Sequence, residues 1–285
     1  MLSAPRTRFA VVALTALVMG AFAANSVLAR LALRTTAIDA ATFSAVRLVA
    51  GALALWLVAG RGGQGADGRG GSWPSALALF VYAAAFSFAY LALSTGTGAL
   101  VLFGTVQITM IGWGLAGGER LSAVQWGGLA AALGGLVILL APGVTAPPLG
   151  PALLMGAAGA AWGVYSLRGR GAIRPVVESA GNFVRASALG AALLGAYALG
   201  GAVDLDGTGL GYAVLSGGVT SGLGYACWYA VLPALRATSA ATVQLSVPVL
   251  AALGGLAIVG EPVTLRLAVA SAVTLGGIAV VVRAR

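Results

Sequence analysis

Ten runs of about 20 mostly apolar residues fill the chain, each the length a helix needs to cross a bilayer. They lie roughly at residues 8–29, 40–59, 75–94, 98–117, 122–140, 149–167, 179–199, 208–232, 239–259 and 264–282. Composition agrees with this reading. Of 285 residues, 60% are hydrophobic and 8% charged, where a soluble domain carries about 25% charged residues. A water-soluble fold would lack the polar surface to cover itself. The expected fold class is an all-α integral membrane protein with ten transmembrane helices.

Polar breaks separate the runs. Residues 61–71 read as a flexible linker rich in Gly, Arg and Asp. Residues 141–148 form a second break near mid-chain, and Asp204-Leu205-Asp206-Gly207 a third. Ser122 and Thr264 are expected N-caps of the fifth and tenth helices. With the N-terminus in the cytoplasm, the inside ends carry Arg6, Arg8, Arg61, Arg69, Arg120, Arg168, Arg170, Arg174, Arg236, Arg283 and Arg285. The outside ends carry Arg30, Arg34 and Arg266. That bias predicts a multi-pass protein of the inner (plasma) membrane with both termini cytoplasmic.

Missing residue types remove whole classes of chemistry. All sixteen basic residues are Arg, there is no His, and Cys227 is the one cysteine. A phosphate-binding loop with its Lys, a Lys Schiff base, a Ser-His-Asp triad, a zinc cluster and an internal disulfide are therefore excluded. No cofactor or metal is expected, and no enzyme activity. The net charge of +9 reads as membrane topology rather than nucleic-acid binding, because the arginines sit between apolar runs.

The two halves resemble each other. Gly118-Glu119-Arg120-Leu121-Ser122 and Gly260-Glu261-Pro262-Val263-Thr264 stand 142 apart. Gly134-Gly135 and Gly276-Gly277 share that offset. Ser26, Arg30 and Arg34 meet Ser166, Arg170 and Arg174 at 140, and Val46-Arg47 meets Val184-Arg185 at 138. This divides the chain into residues 1–145 and 146–285. Five spans per half is an odd number, so the second half must be inverted relative to the first. Inverted repeats are the architecture of many secondary transporters, with the substrate site between the halves.

These marks resemble the drug/metabolite transporter superfamily, specifically its EamA-type ten-helix members. The resemblance rests on the Gly-Glu-x-x-Ser/Thr joints at 118–122 and 260–264, on Pro248 thirteen residues before the second Glu, on Trp162-Gly163, and on an Arg early in the second and seventh helices. The first half departs from it, with Val106 and Ala23-Ala24 where Pro and Trp-Gly stand in the second. The resemblance implies a central cavity lined by helices 1, 3, 4, 6, 8 and 9, alternating access, and export of amino acids or other small metabolites. A drug-efflux carrier of the same fold is the alternative, and a non-transporting membrane scaffold a weaker one. An enzyme acting on lipids would need an acid cluster, a metal site or His.

Several residues are suited to binding. Asn25, Gln107 and Gln244 are amides within spans, able to hydrogen-bond a polar substrate at low dielectric. Pro248 cannot donate to the carbonyl of Gln244, which frees that carbonyl and kinks the helix. Tyr90, Trp162, Tyr165, Tyr225 and Tyr229 are candidate walls for stacking and cation–π contact. Arg47 and Arg185 each sit about seven residues into a helix, as gating or structural charges. A charge there costs about 2.5–3.5 kcal/mol without water or a partner. Each could take an anionic substrate group or hold loop carbonyls. Glu119 and Glu261 are expected to shape the helix joints. Expected partners are a small-molecule substrate and the lipid bilayer, with a homodimer left open.

Overall fold

Side-chain caps fix where the helices begin. In the computed structural model, which describes residues 7–61, 70–143, 146–170, 172–201, 203–235 and 243–284, Ser122 accepts from the Gln125 amide and Gln125 reaches back to the Ser122 N–H, a full capping box. Thr264 accepts from the Leu267 amide. Both expected caps are present. Asp39 and Asp206 do the same work at two further starts, accepting from the backbone amides of Thr42 and Gly209 at 2.8 and 2.7 Å.

From these starts run α1 (Arg8–Thr35), α2 (Ala40–Arg61), α3 (Trp73–Tyr90), α4 (Thr95–Ala116), α5 (Ala123–Leu140), α6 (Leu149–Arg168) and α7 (Pro175–Leu199). In α8, Gly207–Val214 continues through a π-helical stretch, Leu215–Leu223, into Gly224–Val231 and the 3-10 turn Leu232–Ala234. Next, α9 comprises Ser246–Gly254 and a π-helical end, Gly255–Val259, and α10 is Leu265–Arg283. These are the ten expected helices. The linker at 62–69 and Arg6, Arg69, Arg236 and Arg285 lie outside the described residues.

Seven of the ten (α1 to α5, α7 and α10) are long and apolar enough to cross a membrane. Their outer faces are apolar, as a lipid solvent requires: on α2, Val49, Leu53, Trp56 and Leu57 form one exposed stripe. Among the described residues the other three helices, α6, α8 and α9, depart from the long apolar span. Part of the functional site comes from these three.

The helices pack in a regular pattern. α5 lies on α10, α2 on α7, and α4 on α9. α3 packs on α6 and α7, while α8 packs on α1 and α2. α4 packs on α6, and α9 on α1. Moving every helix number by five leaves this pattern unchanged. The α5–α10 crossing is close because it is made by glycines: a Cβ on Gly128 would stand 2.7 Å from the Gly277 carbonyl oxygen. The two Gly-Glu joints also match in conformation. Gly118 and Gly260 have φ of 91° and 73°, the left-handed region in which glycine closes a helix.

Arg30 and Arg34 lie in the last two turns of α1, which extends to Thr35. One expectation is corrected. Pro248 does not kink a continuous helix. Regular helix is broken at Leu245 and resumes at Ser246, so Pro248 falls in the opening turn of the resumed helix. The missing N–H costs no bond there.

Candidate functional site

A cavity of about 630 Å³ lies among α1, α4, α6, α8, α9 and α10. Gln107 reaches it from α4, Trp162 and Tyr165 from α6, Tyr225 and Tyr229 from α8, and Gln244 from the helical residues just before the break at Leu245 that precedes α9. Glu119 and Arg170 line its mouth, where α4 and α6 end. Six of the nine predicted binding residues therefore share one space, and Glu119 stands at its edge. Phe22 and Trp228 complete the aromatic wall.

The wall is held as an interlocked set. Trp162 stacks on Tyr165 with centroids 5.4 Å apart and meets Tyr225 at 5.0 Å. Phe22 meets Tyr225 and Trp228 edge-on. Ser179 of α7 ties two phenols together, accepting from the Tyr165 hydroxyl at 3.3 Å and donating to Tyr229 at 3.4 Å. Such a wall offers π faces and a few hydroxyls, suited to the apolar part of an amphipathic ligand.

Beside the wall lies a recess of about 20 Å³, bordered by the polar Asn25, Ser26, Tyr82, Thr220 and Ser221 and the apolar Leu102 and Phe103, with Phe22, Trp162 and Tyr225 shared with the cavity. The Asn25 carbonyl oxygen accepts from Ser216 at 2.7 Å and Thr220 at 3.2 Å, both on the π-helical stretch of α8. Its amide donates to the Tyr82 hydroxyl oxygen at 3.3 Å, and Arg47 donates to the same oxygen at 2.8 Å. Arg47 is 2% exposed. Its guanidinium lies 5.0 Å from the Tyr82 ring centre and 4.6 Å from that of Phe86. Two aromatic faces thus supply part of the stabilisation that water would give.

The end away from the mouth is shut by charge. Glu261 is buried at the α9–α10 joint and accepts from Arg30 at 2.7 Å and from the backbone amide of Thr95 at 2.7 Å. Arg34 lies 3.7 Å from it. Arg30 also donates to the carbonyls of Tyr90 and Leu91. One carboxylate thereby ties α1 and the start of α4 to the last two helices.

The remaining candidates lie elsewhere. Tyr90 is fully buried beneath this ion pair, its hydroxyl donating to the Thr95 carbonyl. Pro248 is buried in α9 away from the cavity lining. Arg185 donates to the carbonyls of Gly70 and Gly181 at 2.7 and 2.9 Å, which is a structural tie between the α2–α3 connection and α7. Arg30, Ser216, Thr220 and Ser221 were not anticipated. No spacing rule links Arg30 to a carboxylate 231 residues away.

A bundle of ten helices around an aromatic cavity, with an ion pair tying the end away from the mouth, is the architecture of a polytopic membrane protein with an internal binding site. The model of the EamA-like transporter family matches residues 150–283. An uncharacterised protein of Pseudomonas aeruginosa is 55% identical over 272 residues, covering 95% of this chain and 94% of that protein. The chain belongs to the EamA-like transporter family. A solved crystal structure of a protein shares the fold at a TM-score of 0.67 and 21% identity, covering 95% of this chain and 96% of that one.

Proposed function

We propose that the protein is a secondary transporter that exports small metabolites, amino acids or related compounds, across the bacterial inner membrane by alternating access. The carrying observation is the 630 Å³ cavity with its mouth at the Glu119 and Arg170 end and its other end tied by Arg30 and Glu261. The arginine-rich joints at Arg120, Arg168 and Arg174 belong to the mouth end. Under the positive-inside rule that end is cytoplasmic.

In this reading residues 1–145 and 146–285 are inverted repeats, which accounts for a packing pattern unchanged by a shift of five helices. Substrate enters from the cytoplasm and replaces part of its hydration with Gln107, Gln244 and the aromatic wall. The halves then rock. The tie at Glu261 breaks, the mouth closes, and the cavity opens outward. Only the differential affinity of the substrate for the two states can drive a shift between them.

Proteoliposomes loaded with a panel of labelled amino acids test this. Efflux of at least one well above that of protein-free vesicles is expected, with Trp162→Ala lowering it tenfold or more. A panel of amino acids and other metabolites without efflux above control, from folded protein, would overturn it. Efflux confined to aromatic cations would instead select the drug-carrier alternative, which the aromatic wall also favours.

A further inference from the structure

The mechanism above makes no use of Arg47, the most deeply buried charge in the described chain. Among the described residues Arg47 makes no ion pair with a carboxylate. Its Nη1 has no hydrogen-bond partner at all. A second buried polar atom, the hydroxyl of Ser221, also lacks one, and Ser221 borders the recess. The Tyr82 hydroxyl oxygen accepts from both Arg47 and Asn25. Its own proton is left for a third group. The π-helical stretch that carries Ser216, Thr220 and Ser221 is a backbone irregularity of a kind frequent at functional sites.

The free Ser221 hydroxyl and the Tyr82 hydroxyl proton therefore border one recess, Arg47 stands behind it on the Tyr82 oxygen, and no carboxylate among the described residues borders it. From this we infer that the recess is an anion subsite, in which the negative headgroup of the substrate, a carboxylate, is held by the hydroxyls of Tyr82 and Ser221 against the charge of Arg47. The inference rests on the transport reading and deepens it. The recess now has room for about one water-sized group. A carboxylate enters when Trp162 and Tyr225, which border both spaces, move apart. The apolar part of the substrate then remains in the large cavity against the aromatic wall. A free monovalent anion such as chloride would satisfy the same donors.

The test uses matched probes on the full chain purified in detergent: phenylalanine and its amide, leucine and its amide, benzoate and benzamide, and chloride titrated into gluconate. Thermal stability is the readout. At least one carboxylate is expected to raise Tm at a concentration tenfold or more below that of its amide. Arg47→Gln abolishes the preference and Arg47→Lys retains part of it. Ser221→Ala removes no bond from the fold, so it serves if Arg47→Gln fails to fold; it weakens the carboxylate severalfold and leaves the amide unchanged. A saturable chloride shift lost in either variant also supports the subsite and identifies a free anion as its occupant. Equal binding within every pair together with no chloride shift, or a preference that survives in both variants, overturns the subsite. If vesicles still export a neutral or cationic solute in that case, the transport reading stands without it.

Discussion

At the scale of single residues, charge decides most. Glu261 is buried and satisfied by Arg30 and the Thr95 amide. Removing one member of a buried pair leaves the other uncompensated, which costs about 3–5 kcal/mol. Glu261→Gln is therefore expected to lower Tm in detergent by several degrees or more. Adding Arg30→Gln should cost much less than the sum of the two single changes, because the orphaned charge goes with it. Additive effects in that cycle would show that the pair carries no coupling. Tyr82→Phe is expected to destabilise as well, since one oxygen serves both Asn25 and Arg47. Loss of an acceptor that leaves buried donors unpaired costs about 1–3 kcal/mol each, read again as a shift in Tm.

At the scale of elements, α8 sets the site. Its π-helical stretch, Leu215–Leu223, adds residues to the turn between Ser216 and Tyr225. Each residue of an α-helix turns about 100°. Deleting Gly218 should return the stretch towards α-helix and rotate Tyr225, Trp228 and Tyr229 off the cavity. Export activity should disappear while the protein remains helical by circular dichroism; retained export would sink the idea. By contrast, Gly277→Val wedges α5 from α10 at a crossing remote from the recess. It should destabilise by about 1–3 kcal/mol and leave the ligand specificity of the folded fraction intact.

Much of this was legible in the sequence for physical reasons. Span length follows from bilayer thickness, caps from hydroxyl side chains such as Ser122 and Thr264, and the helix joints from glycines that take positive φ. The faces of the helices were not legible. In α3 and α9 nearly every position is apolar, so periodicity carries little directional information. That is why Tyr90 and Pro248 could be named as cavity residues and lie outside it. The Asn25–Tyr82–Arg47 network was illegible in a different way. Its members come from three helices, and its geometry depends on an irregular turn that Gly, Ser and Thr permit without announcing.

At the scale of the whole molecule, the packing pattern relates every helix to the one five places on. The 140 offset carries Arg30 and Arg34 onto Arg170 and Arg174, and the 142 offset carries Glu119 onto Glu261. The first set closes one end, while Glu119 and Arg170 line the open mouth. A rocking motion that trades one set of contacts for its counterpart exchanges like for like. On the proposed mechanism the two end states are then close in energy, and loss of a single charge is expected to tilt them. In a Cys227→Ser background with a thiol at Gln107, Glu261→Gln should make that thiol more reactive from outside and less from inside. Arg170→Gln should do the reverse. Identical labelling in both would mean that the ends do not trade. A protein poised in this way needs only a weakly bound cargo to be driven round its cycle, because little free energy separates the two sides of the turn.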